Sequence, residues 1–507
     1  MLSVNDMSYP INKKLEILIS GTIDYSPIGR HTLSFIGAFI DDVSIDIYID
    51  NDYLNKESYN ILEVFFKNSK INIHSNNNKT YDFLIYTYVL GLLPDDDWFK
   101  AALQKKAKLK ICYPVCDGSV PPIEWINKIN RYFDICLSPS RYCSENFKRH
   151  GVSIDCINLE CSVLINKILD EYPQNQMNST FRFGCISANE KRKNLPFLIE
   201  AFADAFSNNE NVELFIHTND RNDITCSKEK LIKTFNQYNG NNNIIFSTGF
   251  LSHDDITKIW SSFHAYICPQ TATGYFTTPI EAMALGIPCI ASSIPTHKEI
   301  SEYIPIKNNI FFVEHNIIKP FQHFIFDYRL MGVHLEASKI NYIENLKLIY
   351  KNRSNLLHSD LINARKKYAK KFTFQGIKNK YISIIRPYKL TNNNISFIKD
   401  EKFYITKKLQ QKYKNIYNFS FEKDTKTKPI ITTRHTNQKV RLIEEISIQT
   451  QNIYIKKYFK EKVNATKNKY LNKIIEISKK QNISLFLYLP YKLVKIYSQI
   501  KKLFKQK

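Results

Sequence analysis

Two patterns of apolar residues alternate along the chain: short continuous runs, and longer stretches with helical spacing. Leu15–Ser20 is a continuous run that ends in Gly21, and Arg30–Ile40 then places apolar residues three and four apart. Together they predict a strand, a loop and a helix. Runs at Val43–Ile49, Phe83–Tyr88, Leu109–Val115 and Ile135–Ser138 predict further strands, with helices at Glu124–Tyr132 and Arg141–His150. After the polar stretch Tyr172–Thr180, which suits a linker, strands are expected at Phe181–Ile186, Val212–His217, Ile244–Ser247, Ala265–Cys268 and Pro288–Ala291. Strands alternating with helices imply a parallel sheet covered on both faces, here twice over, so the class is α/β. Such sheets bind ligands outside the carboxyl ends of their strands.

From Leu335 to about Lys389 the pattern is helical and charged, as expected of helices packing across the back of the second domain. The predicted organisation is a first Rossmann-like domain over 12–170, a second over 178–335, C-terminal helices over 336–389 and a basic extension over 390–507. The extension is rich in Lys, Asn and Ile, and is expected to be mostly helical or partly disordered.

A length of 507 residues exceeds what one core organises, in agreement with two domains. No uncharged apolar run reaches the roughly 18 residues of a spanning helix, and Leu15–Ser20 is too short for a signal-peptide core. A cytoplasmic protein is expected. The ten cysteines, all between Cys112 and Cys289, match neither a zinc ribbon nor a redox pair and read as small core residues. Of the net charge of +23, most lies in the tail, where Thr391–Lys507 holds 27 Lys and Arg against 8 Asp and Glu. An anionic membrane surface is a possible partner for it, and Leu493, Tyr497, Ile500 and Phe504 among lysines would suit an interfacial helix. The same stripe could equally pack on the protein. Nucleic acid is the less favoured partner, because no recognisable module and no patterned aromatics accompany the charge.

The most informative stretch is Cys268–Ser293, CPQTATGYFTTPIEAMALGIPCIASS. It reads as a strand end, a Gly-bearing loop, a helix opening near Pro279 and Glu281, a stop at Gly286 and a new strand. That order sets Thr277, Thr278 and the free N–H groups of a helix start at the mouth of the sheet, where phosphate is held well. Glu281 in a first turn could accept two bonds from ribose hydroxyls, or be only a favourable first-turn charge. Asp95-Asp-Asp97 contains a DxD, better explained by helix capping than by a metal. No metal and no cofactor are expected.

With Glu190-Lys-Arg-Lys-Asn, Leu198–Phe202, Ser247-Thr-Gly-Phe-Leu-Ser, Pro279-Ile-Glu-Ala-Met-Ala, Gly286-Ile-Pro and Pro295-Thr-His-Lys-Glu in order, Phe181–Glu299 resembles the donor domain of family 4 glycosyltransferases of GT-B fold. The resemblance implies two Rossmann-like domains facing across a cleft, a nucleotide-sugar donor, a glycan or lipid-linked acceptor, and transfer with retention and without a metal. It implies that Lys193 neutralises the leaving diphosphate, that Glu281 meets the donor ribose and that the turn at Thr248, Gly249 and Phe250 lies near the base. Gly21–His31 is similar to the family's first-domain loop, in which Gly29 would admit the phosphates closely. Val115–Ser140 is similar to a block in which Asp117 would orient or deprotonate the acceptor, although Asp117-Gly118 is also an ordinary turn pair. Two departures stand out. The position eight before Glu281, commonly a second Glu, is Thr273, followed by Gly274; the family's Arg falls at Ser187 or Ala188. A non-catalytic binding or scaffold protein of the same fold is the alternative they leave open.

Overall fold

The computed structural model describes residues 14–67, 69, 71–74, 78–91, 97–160, 165, 168–169, 180–206, 211–219, 228–238, 243–249, 251, 253–303, 309–322, 330–385, 443–445 and 447–448. The first sheet has seven parallel strands: β1 (Leu15–Ser20), β2 (Ile45–Asp50), β3 (Asn72–His74), β4 (Thr80–Tyr86), β5 (Lys106–Cys112), β6 (Ile135–Ser138) and β7 (Asp155–Asn158). Their order is β3-β2-β1-β4-β5-β6-β7. The second has six, β8 (Phe181–Ile186), β9 (Val212–Thr218), β10 (Ile244–Thr248), β11 (Ala265–Cys268), β12 (Cys289–Ser292) and β13 (Ile310–Val313), in the order β10-β9-β8-β11-β12-β13. Both orders reverse direction beside their first strand. Loops leaving β1 and β4, and those leaving β8 and β11, therefore part to opposite sides and open a crevice at the carboxyl edge of each sheet.

Burial explains the runs. β11 and β12 are buried at every position, as strands covered on both faces must be. Helix α1 (Pro27–Phe39) begins where Ser26 accepts a bond from the Gly29 N–H, with Pro27 at the first helical position. The helices that follow in the first domain are α2 (Lys56–Phe66), α3 (Asp97–Gln104), α4 (Ile123–Tyr132) and α5 (Arg141–Arg149). In the second domain α6 (Leu195–Phe206), α7 (Lys228–Tyr238), α8 (His253–Ser261), α9 (Thr277–Leu285) and α10 (Pro295–Tyr303) separate the strands. Asp97 opens α3; Asp95 and Asp96 lie outside the described residues.

Two features depart from the sequence reading. The helical region starts at Lys339 rather than Leu335, because β14 (His315–Gln322) and β15 (Leu330–Ala337) form an antiparallel hairpin after β13. The helices also do not all stay behind the second domain. Among α11 (Lys339–Lys351), α12 (Arg353–Leu356), α13 (Ser359–Ala369) and α14 (Phe374–Ile385), the first lies on α6, where Phe197 meets Tyr342 at 5.3 Å. The last crosses to the first domain. There Phe35 meets Tyr381 at 4.9 Å, Phe66 meets Phe374 at 5.8 Å, and the Tyr381 hydroxyl donates to the Glu160 carbonyl at 2.9 Å. The eight described cysteines are free and buried. Among the described residues no helix is long and apolar enough to cross a membrane. The amphipathic stretch at Leu493–Phe504 and nearly all of the basic extension lie outside the described residues.

Candidate active site between the two sheets

The loops at the facing carboxyl edges are joined by side chains from both domains. Glu281 lies on α9, which opens at Thr277, two residues before the expected start, so Glu281 sits in the second turn. A first-turn dipole charge is thereby excluded. Its carboxylate is 2% exposed and accepts from Arg30 Nη1 of α1 at 2.7 Å. Burial pushes the Glu281 carboxyl upward and Arg30 pulls it back.

Asp117, in the loop after β5, reaches the other domain. Its Oδ1 accepts from the Gly274 N–H at 2.7 Å, and Oδ2 lies 3.4 Å from Arg192 Nε. Arg192 also pairs with Glu190 Oε2 at 2.9 Å, while its carbonyl accepts from the Thr271 N–H at 2.8 Å. The loop after β8 is thus tied to the loop after β11. Gly274 O in turn accepts from the Ser140 hydroxyl at 2.6 Å. A Cβ on Gly274 would stand 2.5 Å from Val115 Cγ1 and 2.7 Å from the Cys116 carbonyl, so glycine there serves the approach of the two domains. At Gly29 the close neighbour is the chain's own loop: a Cβ would lie 2.4 Å from the Asp24 carbonyl.

Lys193 closes a 3-10 turn, Lys191–Lys193, beside this clasp. Burial first, then the charge of Arg192, bring its ammonium down to about 8, against the opposing pull of Glu190 and Asp117. Unlike Arg192, it forms no ion pair among the described residues. Around the same edge, Ser187 Oγ after β8, Thr218 Oγ1 at the end of β9, Ser292 Oγ at the end of β12 and His297 Nε2 in α10 are buried with no hydrogen-bond partner among the described residues. Buried polar atoms are normally satisfied, so a group of them at a sheet's carboxyl edge points to a polar occupant.

Thr277 and Thr278 form the first two positions of α9; Phe276 before them gives no side-chain cap, and Pro279 at the third position has no N–H. Among the described residues the amides of both threonines remain available as orphan donors. Thr273 is buried, its hydroxyl donating to the Tyr275 carbonyl at 2.8 Å. Thr248 ends β10, the edge strand, and Gly249 follows it, its N–H donating to Thr218 O at 3.3 Å; two strand spacings, roughly 10 Å, separate them from β8. Phe250 lies outside the described residues.

Residues 180–320 match the family described as glycosyl transferases group 1. Over this segment the chain is similar to the group 1 glycosyltransferases. An uncharacterised glycosyltransferase of Sulfolobus islandicus rod-shaped virus 1 is 24% identical over 202 residues, which are 38% of this chain and 58% of that protein. A glycosyltransferase of Rickettsia africae superposes with a TM-score of 0.54 at 12% identity, covering 74% of this chain and 99% of that one. HepE of Anabaena, solved in complex with UDP, superposes with a TM-score of 0.52 at 12% identity, covering 74% and 100%. The shared architecture is GT-B, two Rossmann-like domains facing across a cleft, and the segment similar to group 1 glycosyltransferases lies in its second half.

The structure brings Asp117 and Gly274 into direct contact and places Arg192, the residue before Lys193, on the same carboxylate. It sets Glu281 against Arg30, a partner that sequence reasoning missed although Arg30 follows Gly29 in the loop quoted for the resemblance. Also missed was Glu299 of α10, which accepts from the N–H groups of Arg141 at 3.1 Å and Tyr142 at 2.6 Å at the start of α5. Among the described residues no group of three or more His, Cys, Asp or Glu could hold a metal ion.

Proposed function

We propose that the chain transfers a sugar from a nucleotide-sugar donor to a hydroxyl of a glycan or lipid-linked acceptor, with the donor at the carboxyl edge of the second sheet. The observation that carries this reading is Lys193, a cation without an ion-pair partner among the described residues, at the same sheet edge as buried hydroxyls that have no hydrogen-bond partner among those residues. A departing diphosphate gains negative charge as the bond from the anomeric carbon to its oxygen breaks. A fixed ammonium and the orphan N–H groups of Thr277 and Thr278 are suited to stabilise that charge. The acceptor oxygen forms the new bond to the anomeric carbon, and its proton passes to the departing diphosphate. Retention of configuration, donor-binding roles for Gly29, Ser187, Thr248, Gly249 and Thr273, and a part in surface polysaccharide synthesis follow from the resemblance alone.

Asp117 is engaged at both oxygens, so in this reading it aligns the two domains rather than removing the acceptor proton. A second reading, a non-catalytic relative, draws on the same fact extended to Glu281: both carboxylates are already paired with arginines. Calorimetry with UDP, GDP, ADP and their common sugar conjugates separates the two. Binding of one nucleotide, lost in Lys193→Ala and followed by turnover of its sugar conjugate, supports the transferase. Binding without turnover over a panel of glycan and lipid acceptors supports the relative, and no binding by folded protein removes the donor site. NMR of the product's anomeric proton reads retention or inversion.

A further inference from the structure

His297 belongs to none of the roles assigned above, yet its surroundings specify what it can do. It is wholly buried in the first turn of α10, and its Nδ1 lies 2.9 Å from the Ser292 carbonyl. A carbonyl only accepts, so Nδ1 carries the proton and donates it. In a neutral ring Nε2 is then a bare lone pair, and it has no hydrogen-bond partner among the described residues. Burial, with a smaller contribution from the Lys193 charge and against the Ser292 bond, holds the ring neutral by bringing its pKa down to about 4. The Ser292 carbonyl holds the ring at the carboxyl end of β12, the sheet edge that the Lys193 loop also follows, and Ser292 Oγ is a second buried atom with no hydrogen-bond partner among the described residues.

The chemistry of the missing partner is narrow. Ionised phosphate oxygens have no hydrogen to offer a lone pair, so a diphosphate satisfies Lys193 but not His297. A sugar hydroxyl can donate to Nε2 and accept from a neighbouring hydroxyl in the same step. We propose that His297 is a specificity residue of the donor site, its Nε2 accepting a hydrogen bond from one hydroxyl of the transferred sugar. The proposal rests on the donor-site reading and deepens it, adding sugar recognition at a position distinct from the nucleotide and diphosphate contacts.

The test uses the full chain with UDP, GDP and ADP, with UDP-glucose, GDP-mannose and ADP-glucose, and with the deoxy analogues of whichever conjugate binds. In wild type one deoxy position is expected to weaken binding about tenfold, as loss of a bond to a buried polar group does. His297→Ala is expected to bind the free nucleotide within about twofold of wild type. It should bind the parent conjugate about tenfold more weakly and no longer distinguish that deoxy analogue from its parent. His297→Phe, which fills the space without offering an acceptor, serves if the alanine variant does not fold. The wild-type deoxy series needs no variant at all. No discrimination at any deoxy position overturns the proposal, as does a variant that discriminates like wild type. Equal loss of free nucleotide and conjugate overturns it by assigning His297 to the diphosphate through Lys193. Failure of wild type to bind any of the six ligands is a failure of the donor-site reading itself, and is recognised before His297 is changed.

Discussion

Arg30 Nη1 and Glu281 Oε1 stand 2.7 Å apart, joining α1 of the first domain to α9 of the second across 251 positions of sequence. Glu281 is nearly inaccessible while Arg30 keeps about a fifth of its side chain exposed, 3% against 21%. Removing the arginine leaves a buried carboxylate unpaired unless it takes up a proton or the domains part. Arg30→Met is expected to destabilise the protein by about 3 kcal/mol, near the lower end of what breaking a buried pair costs. Glu281→Gln should cost less, since Arg30 can turn to water, and the double variant should recover part of the loss. Denaturant unfolding of the three variants measures the coupling.

Asp117→Asn separates alignment from proton removal. The amide oxygen can still accept from Gly274 N–H, while the attraction to Arg192 is lost. An aligning role predicts a loss in kcat/KM of no more than about tenfold, with the pH profile unmoved. Loss of a general base would cost on the order of 10²–10⁴-fold.

The sheets were legible because parallel strands buried on both faces leave continuous apolar runs. Ile135–Ser138 and Phe181–Ile186 have the limits that their runs predict. Strand Asn72–His74 was not legible: it is three residues long, at the sheet edge, and two of its three residues are polar. The β14–β15 hairpin was read as the end of one domain and the start of helices, since Leu335 and Ala337 suit a helix until Val333 N is seen donating to Ser119 Oγ of the facing domain. The site divides in the same way. The loop bearing Lys193 and, to within two residues, the α9 start are local in sequence and could be read, whereas the pairs Arg30–Glu281, Asp117–Arg192 and Tyr142–Glu299 are made by docking, which leaves no spacing to read.

Glu299 gives the interdomain contact a pH dependence. Burial, which outweighs the two N–H bonds from α5 and the charge of Arg141 and is reinforced by Glu302, raises its carboxyl from 4.5 to about 7. The folded state then binds the proton more tightly than the unfolded chain. The associated stability is complete below about pH 4.5, is lost as pH rises to about 7, and stays lost above it. Glu299→Gln keeps an acceptor for α5 and cannot ionise. Relative to wild type it should be about 2–3 kcal/mol more stable at pH 8 than at pH 5, since close to two pKa units are lost over that range at roughly 1.4 kcal/mol each. Urea midpoints at the two pH values check the difference, and an equal effect at both would remove Glu299 from the pH response.

Lys193 titrates in the opposite sense. Its ammonium is brought down from 10.5 to about 8, so between those values the unfolded chain binds more protons than the folded one. Its contribution to stability therefore rises with pH from about 8 to 10.5 and is constant below. The charge needed for the diphosphate is lost over that same window. If Lys193 neutralises the leaving group, kcat/KM should fall above about pH 8 while the fold gains stability, a divergence that general alkaline denaturation cannot produce. Lys193→Arg, charged throughout, should shift the alkaline limb upward at some cost in rate, because a planar fork does not replace a point charge on the same atoms. Lys193→Ala should leave the fold intact and reduce turnover by about 10²-fold or more. pH–rate profiles for the three proteins, with unfolding curves at matching pH, give both quantities. An alkaline limb unchanged in Lys193→Arg would transfer the diphosphate role to another group.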